Sequence, residues 1–134
     1  MTTVIQKCDA IDVQHIAKLY DTEDAMFADR KTTQHWIKAV NSGRVVGCVS
    51  FFKVGKEKVR LSNLFVVPSA RGAGIGNLLV NGVELSAKRM GYKKVQAVTR
   101  RSIFKAMGYQ THRSFKDYLL MEKNLENLPK ANRL

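Results

Sequence analysis

The chain has 134 residues, a net charge of +12, a pI near 10.0 and 45% hydrophobic residues. That length fits one domain, and that apolar content excludes wholesale disorder. No apolar run approaches the roughly 20 residues of a membrane helix, and Met1-Thr2-Thr3-Val4-Ile5-Gln6-Lys7 lacks the basic flank and apolar stretch of a signal peptide, so the expected location is cytoplasmic.

Thr3 to Cys8 reads as a first strand. Asp9 is placed to cap a helix, with Asp12 three residues on in the manner of a capping box. Val13, Ile16, Ala17 and Tyr20 follow at helical spacing. Asp21 to Lys31 is a polar connection. Thr32 or Thr33 then caps an expected second helix carrying Trp36, Ile37 and Val40, closed by Asn41-Ser42-Gly43.

Past Gly43 the pattern turns to β. Val45 to Phe52 is rich in strand formers, Val54 to Lys58 supplies a turn, and Val59 to Val67 is a strand, or two strands' worth, stopped by Pro68. Ile75, Leu78, Leu79, Val83, Ala87 and Met90 define one face of a helix that Gly91 closes. Lys94 to Thr99 is a short strand, and Ser102 to Met107 a brief helix. Tyr109 to Ser114 and Tyr118 to Lys123 form two last strands around Phe115-Lys116-Asp117. Residues 1–125 make one domain, and Glu126 to Leu134, with Pro129 and few apolar residues, reads as a flexible tail. The order is β-α-α-β-β-β-α-β-α-β-β, a mixed α/β domain.

Charge is unevenly distributed. Residues 1–30 hold six acids against Lys7, Lys18 and Arg30, whereas the remainder holds 20 bases and 5 acids. A basic body of this kind suits an anionic partner, such as a nucleotide cofactor, a nucleic acid or an acidic surface. Cys8 and Cys48 lie in apolar strand-like stretches without metal-ligand spacing, and read as buried thiols. No group of His, Cys, Asp and Glu has metal spacing, so no metal is expected.

The segment richest in chemistry runs from Leu61 to Leu79. A strand ends at Pro68, a loop follows as Arg71-Gly72-Ala73-Gly74-Ile75-Gly76, and an amphipathic helix begins inside it. Backbone N–H groups in such a loop can approach an anion unobstructed, and the helix N-terminus adds the positive end of its dipole. The pattern points to a phosphate or pyrophosphate site. It is not a P-loop, because no Lys-Ser or Lys-Thr follows the last glycine. A dinucleotide fingerprint fits poorly, because its third glycine falls three after the second and its unit opens a parallel sheet.

Val66-Val67-Pro68-Ser69-Ala70-Arg71-Gly72-Ala73-Gly74-Ile75-Gly76 closely resembles the acyl-CoA signature of the GNAT superfamily of N-acetyltransferases. Phe104-Lys105-Ala106-Met107-Gly108-Tyr109 is similar to a later element of that family, with Phe104 where its tyrosine falls. The resemblance spans roughly residues 3–124 and implies a central, mostly antiparallel, splayed sheet flanked by helices. It implies acetyl transfer from acetyl-CoA to an amine. Arg71, Gly72, Ala73, Gly74, Ile75 and Gly76 would wrap the CoA pyrophosphate, with Asn77 in the first helical turn. Main-chain groups of Phe65, Val66 and Val67 would pair with the pantetheine arm, and the thioester carbonyl would lie near the Val66 amide. Lys105 and Arg101 would face the adenosine phosphates or solvent.

The family's catalytic groups are not matched. Phe104 cannot supply a tyrosine hydroxyl, and the position of an early-strand glutamate falls at about Arg60, which accepts no proton. Thr99, Arg100, Arg101 and Ser102 stand where an asparagine is usual. Ser102 and Tyr118 are the candidate catalytic residues, with Asp117 and His112 behind them. The expected partners are acetyl-CoA and an amine acceptor, whether protein, small molecule or nucleic acid. Non-specific nucleic-acid contact through a basic rim of Arg100, Arg101, Lys105, His112, Arg113 and Lys116 is a further expectation, and homodimer formation is left open. No membrane partner is expected. A CoA-binding or structural protein without transferase activity is the alternative.

Overall fold

The computed structural model describes residues 2–8, 35–100 and 102–127. Strands β1 (Thr3–Cys8), β2 (His35–Asn41), β3 (Arg44–Lys53) and β4 (Lys58–Val66) precede helix α1 (Ile75–Arg89). Strands β5 (Lys94–Thr99), β6 (Gln110–Ser114) and β7 (Leu119–Asn124) follow it, with short 3-10 turns at Pro68–Ala70, Ser102–Met107 and Leu125–Asn127. The seven strands form one sheet in the order β1-β2-β3-β4-β5-β7-β6. Every pairing is antiparallel except β4 with β5. Among the described residues no helix is long and apolar enough to cross a membrane.

The helix expected from Thr32 or Thr33 to Val40 is instead strand β2 where it is described. It pairs with β1 from Thr3↔Asn41 to Cys8↔Trp36, and with β3 on its other edge. Trp36, Ile37 and Ala39 are all buried, so a strand covered on both faces shows no clean alternation. Asn41-Ser42-Gly43 is a hairpin turn, not a helix end. Ser42 and Gly43 have φ of 53° and 74°, the two positive values that a two-residue type I′ turn requires. The helix expected from Asp9 to Tyr20 lies outside the described residues, as does the tail beyond Asn127.

Helix α1 covers one face of the sheet. Its buried apolar stripe is Ile75, Leu79, Val80, Val83 and Ala87, packed on Val49, Phe51, Val59, Leu61, Val95, Ala97 and Met121. Leu78 and Met90, expected on that stripe, are 41% and 43% exposed. The contact face follows the i, i+4 row from Ile75, which leaves both to one side. The helix ends in a Schellman motif, with the Tyr92 N–H donating to Ala87 O at 3.0 Å and the Gly91 N–H to Lys88 O at 3.0 Å.

A bulge divides β4. Register with β3 slips between Cys48 and Ser50, and Asn63 takes a left-handed φ of 56°. The Asn63 Nδ2 donates to Ser50 Oγ at 2.8 Å, and Ser50 Oγ donates to Ser62 O at 3.2 Å. The extra residue reverses the alternation of faces. Val59 and Leu61 face α1 before it, and Leu64 and Val66 pack on the same core after it. Phe65 is thereby turned to the opposite face, against Trp36 and Cys48. Burial pushes the Cys48 thiol up to about 12, with Cys8 nearby adding to it, so this cysteine stays a neutral apolar filler.

Candidate functional site

The β4–β5 ladder runs from Lys58↔Lys94 to Leu61↔Ala97 and extends no further, although β4 continues to Val66. Beyond Leu61 the two strands part. A cavity of about 350 Å³ opens there, lined by Arg60, Leu61, Ser62, Asn63, Leu64, Val98, Thr99, Ile103 and Phe104.

Which way the β4 backbone faces follows from its register. The Val67 N–H donates to Val46 O at 2.9 Å, and Gly47 stands opposite Val66. Hydrogen-bonded and non-hydrogen-bonded positions alternate in an antiparallel pair, so the Val66 N–H and C=O turn away from β3. The Val66 carbonyl accepts from Arg71 Nε at 2.8 Å. The same guanidinium lies 5.5 Å from the centre of the Phe65 ring. The Arg71 side chain is thus a brace folding the loop against β4.

The loop from Arg71 to Gly74 is exposed and delivers the chain into α1 at Gly74, the N-cap, with φ of 79° and ψ of 12°. A left-handed N-cap carries no Cβ penalty only as glycine. No side chain caps the helix and its first turn holds no acid. The first intrahelical bond is from the Leu78 N–H to Gly74 O at 3.1 Å, so the N–H groups of Ile75, Gly76 and Asn77 have no partner within the helix. A Cβ added at Gly72, Gly74 or Gly76 would meet no atom within 4 Å. Open space, three unclaimed amides and a positive dipole end suit the double negative charge of a pyrophosphate. Ile75 is buried and anchors the loop to the core.

Phe104 is buried, lines the cavity and packs edge-on to Tyr109 with ring centres 5.2 Å apart. Tyr109 is the nearest phenol in sequence, but its hydroxyl donates to Glu84 Oε2 of α1 at 2.8 Å. Burial above all, with Glu84 beside it, raises its pKa far above the ordinary tyrosine value, so it remains a neutral donor. Glu84 also accepts from Lys123 Nζ at 3.1 Å, and that ammonium donates to Met107 O at 2.8 Å. This buried group ties α1, the Ser102–Met107 turn and β7 together behind Phe104.

The sheet face opposite α1 carries a polar row. Arg60, Gln96 and Glu122 stand in register across β4, β5 and β7. Arg60 Nη2 donates to Gln96 Oε1 at 3.1 Å, Gln96 Nε2 donates to Glu122 Oε2, and Lys58 Nζ pairs with Glu122 at 3.2 Å. Burial would raise the Glu122 carboxyl, but the Gln96 amide, the Lys58 ammonium and His112 outweigh it and hold the pKa below its ordinary value.

Of the two catalytic candidates, Ser102 opens the 3-10 turn after β5. Tyr118 sits at the β6–β7 hairpin, 41% exposed and stacked on Phe115 at 4.6 Å, and does not line the cavity. Asp117 is exposed in the same hairpin, and His112 is exposed with its Nδ1 3.7 Å from Glu122. Ser62 and Asn63 were not recognisable as site residues from the sequence. Their place in the cavity comes from the bulge, and a polar Ser-Asn pair inside an apolar strand was its only signal. Among the described residues no cluster of His, Cys, Asp and Glu could hold a metal ion.

An antiparallel sheet that splays at one parallel pairing, beside an uncapped glycine-entered helix, is the fold of acyl-CoA N-acyltransferases. Residues 5–109 match the acetyltransferase (GNAT) family, and the chain belongs to that family. No curated protein matches the sequence. The fold is similar to that of the GNAT-family N-acetyltransferase YhbS of Escherichia coli in complex with CoA, at TM-score 0.74 and 18% identity over 92% of this chain and 81% of that one. The PaiA N-acetyltransferase of Thermoplasma acidophilum, also complexed with coenzyme A, gives TM-score 0.74 and 13% identity over 92% and 99% of the chains. An IAA acetyltransferase of Bacillus cereus gives TM-score 0.76 and 16% identity over 92% and 99%.

Proposed function

We propose that the protein is an acetyl-CoA-dependent N-acetyltransferase whose acceptor amine enters where β4 and β5 part. The single observation behind this reading is that parting, set beside an α1 N-terminus whose first amides are unclaimed. Acetyl-CoA supplies a thioester; the neutral amine nitrogen bonds to its carbonyl carbon, the C–S bond breaks, the CoA thiolate departs, and the proton shed by the nitrogen passes to solvent water or to that thiolate. Arg71, Gly72, Ala73, Gly74, Ile75, Gly76 and Asn77 hold the pyrophosphate through main-chain amides. Phe65, Val66 and Val67 form the strand edge beside the pantetheine arm, and the Val66 N–H, turned away from β3, stabilises negative charge developing on the carbonyl oxygen. The exposed Lys105 meets an adenosine phosphate.

None of the described residues lining the cavity is an acid that could protonate the sulfur, and Phe104 stands where the family's tyrosine falls. A thiol with a pKa of roughly 8.5, by analogy with cysteine, leaves as a fairly stable anion, so protonation need not accompany bond breaking. The chain therefore works mainly by alignment. Titration calorimetry with CoA and acetyl-CoA tests the reading. Micromolar binding is expected, and folded protein that binds neither at millimolar concentration would refute it.

CoA binding without transfer is the second reading, favoured by Phe104 and by Arg60 at the place of the family's glutamate. Nucleic acid is a further partner in this proposal, since Arg100, Lys105, His112, Arg113 and Lys116 are all exposed. Binding should weaken steeply with salt as counterions are released, and anisotropy titrations that show no binding at low salt would remove it.

A further inference from the structure

The cavity between β4 and β5 holds one charged side chain among its described lining residues, Arg60, and no acid. This guanidinium is half-buried and has five N–H groups. Among the described residues it makes one hydrogen bond, to Gln96 Oε1, and no ion pair, and its Nε is buried without a partner. Glu122, the carboxylate of the same row, is kept from it. Gln96 stands between them, its carbonyl toward Arg60 and its NH₂ toward Glu122, while Lys58 neutralises Glu122 from the other side. A half-buried cation with its hydrogen-bonding capacity mostly unspent lacks a counter-anion.

We infer that Arg60 is the specificity-determining residue for the acceptor, which carries a carboxylate at a distance from the amine that is acetylated. This rests on the proposed transfer from acetyl-CoA. A guanidinium offers a planar fork that matches a carboxylate with two parallel hydrogen bonds. Gln96 holds Nη2, Nε is buried, and the Nη1 edge, which is not, is left for the ligand. A polyamine or an unmodified lysine side chain would bring a second positive charge or no anion to this site.

Geometry sets the spacing. Arg60 lines the cavity on the far side of the Asn63 bulge, six residues back along β4 from the Val66 N–H proposed to face the thioester carbonyl. The arginine side chain spans part of that length. The acceptor is therefore extended, with several methylenes between carboxylate and amine, rather than a compact α-amino acid reacting at its α-nitrogen.

The test uses the whole chain, saturating acetyl-CoA and release of the CoA thiol as readout. The probes are β-alanine, 4-aminobutyrate and 6-aminohexanoate, the amide of each, O-phosphoethanolamine and spermidine. The acids should exceed their amides by at least about 10-fold in kcat/KM, with the longer acids ahead of β-alanine. Arg60→Gln should lower kcat/KM for the acids by about 10- to 100-fold through KM, leave the amides unchanged and leave the calorimetric affinity for acetyl-CoA unchanged; Arg60→Lys should recover part of the loss. Amides or spermidine turned over as well as the acids by the wild type would overturn the inference without any variant. So would O-phosphoethanolamine preferred to every carboxylate, or acetyl-CoA bound with no probe turned over. Failure to bind acetyl-CoA would instead remove the function on which the inference rests.

Discussion

Gly76→Ala separates ligand binding from stability, because only stability should move. Gly76 lies in the first turn of α1, and a Cβ there would meet nothing within 4 Å. The fold therefore loses nothing by the methyl group. Glycine within a helix costs roughly 0.5–1 kcal/mol relative to alanine, so the variant should be more stable by up to about 1 kcal/mol. For a domain of this size that is a rise of roughly 3–5 °C in Tm. The acyl-CoA signature that this loop resembles takes glycine or alanine at the place of Gly76, so the methyl should leave the Ile75, Gly76 and Asn77 amides open to the proposed pyrophosphate. CoA affinity should therefore stay within about 10-fold of the wild type, or about 1.4 kcal/mol. Thermal unfolding without ligand gives the first number and titration calorimetry with CoA the second. A variant that is destabilised would refute the helical placement of Gly76, and one that loses CoA binding altogether would refute the open approach to these amides. Gly74→Val serves as contrast: its φ of 79° strains any side chain by about 1–2 kcal/mol, so this variant should lose both stability and binding.

Phe104→Tyr should raise the rate of acetyl transfer, by up to about 10²-fold, if the new hydroxyl reaches the departing sulfur across the cavity. A fall in Tm corresponding to about 1–3 kcal/mol without any gain in rate would mean instead that the hydroxyl is buried unpaired, and that the non-catalytic reading is correct. Glu84→Ala leaves the Tyr109 hydroxyl unpaired in the core and removes the counter-charge of the part-exposed Lys123, and should cost about 1–3 kcal/mol in urea unfolding; a loss below about 1 kcal/mol would show the group to be dispensable. Glu122 has a folded pKa below its unfolded value, so the unfolded state binds more protons between the two. Its contribution is present above the unfolded value of about 4.3 and is lost as pH falls through the lower folded value; Glu122→Gln should flatten the stability profile on the acid side of the unfolded value, and an unchanged slope would contradict the Lys58–Gln96–Glu122 arrangement.

Local chemistry was enough to read the loop at Arg71–Gly76. A strand stopped by Pro68, glycines free of Cβ and an amphipathic repeat after Ile75 are short-range signals, and they carry both the helix and its open N-terminus. The hairpin around Phe115–Asp117 and the closure of α1 at Gly91 were legible for the same reason. Strand β2 was not. Trp36, Ile37 and Ala39 are buried on both faces by neighbours distant in sequence, and Asn41-Ser42-Gly43 serves a helix end or a type I′ turn equally well until β1 and β3 are in place. The cavity between β4 and β5 belongs wholly to tertiary structure. It exists because a bulge at Asn63 reverses the faces of β4 and because β5 pairs with that strand only as far as Leu61. Arg60 could be seen as a missing glutamate in the sequence. Only the register of three strands shows that Gln96 separates it from Glu122, so that its charge is left to face the cavity.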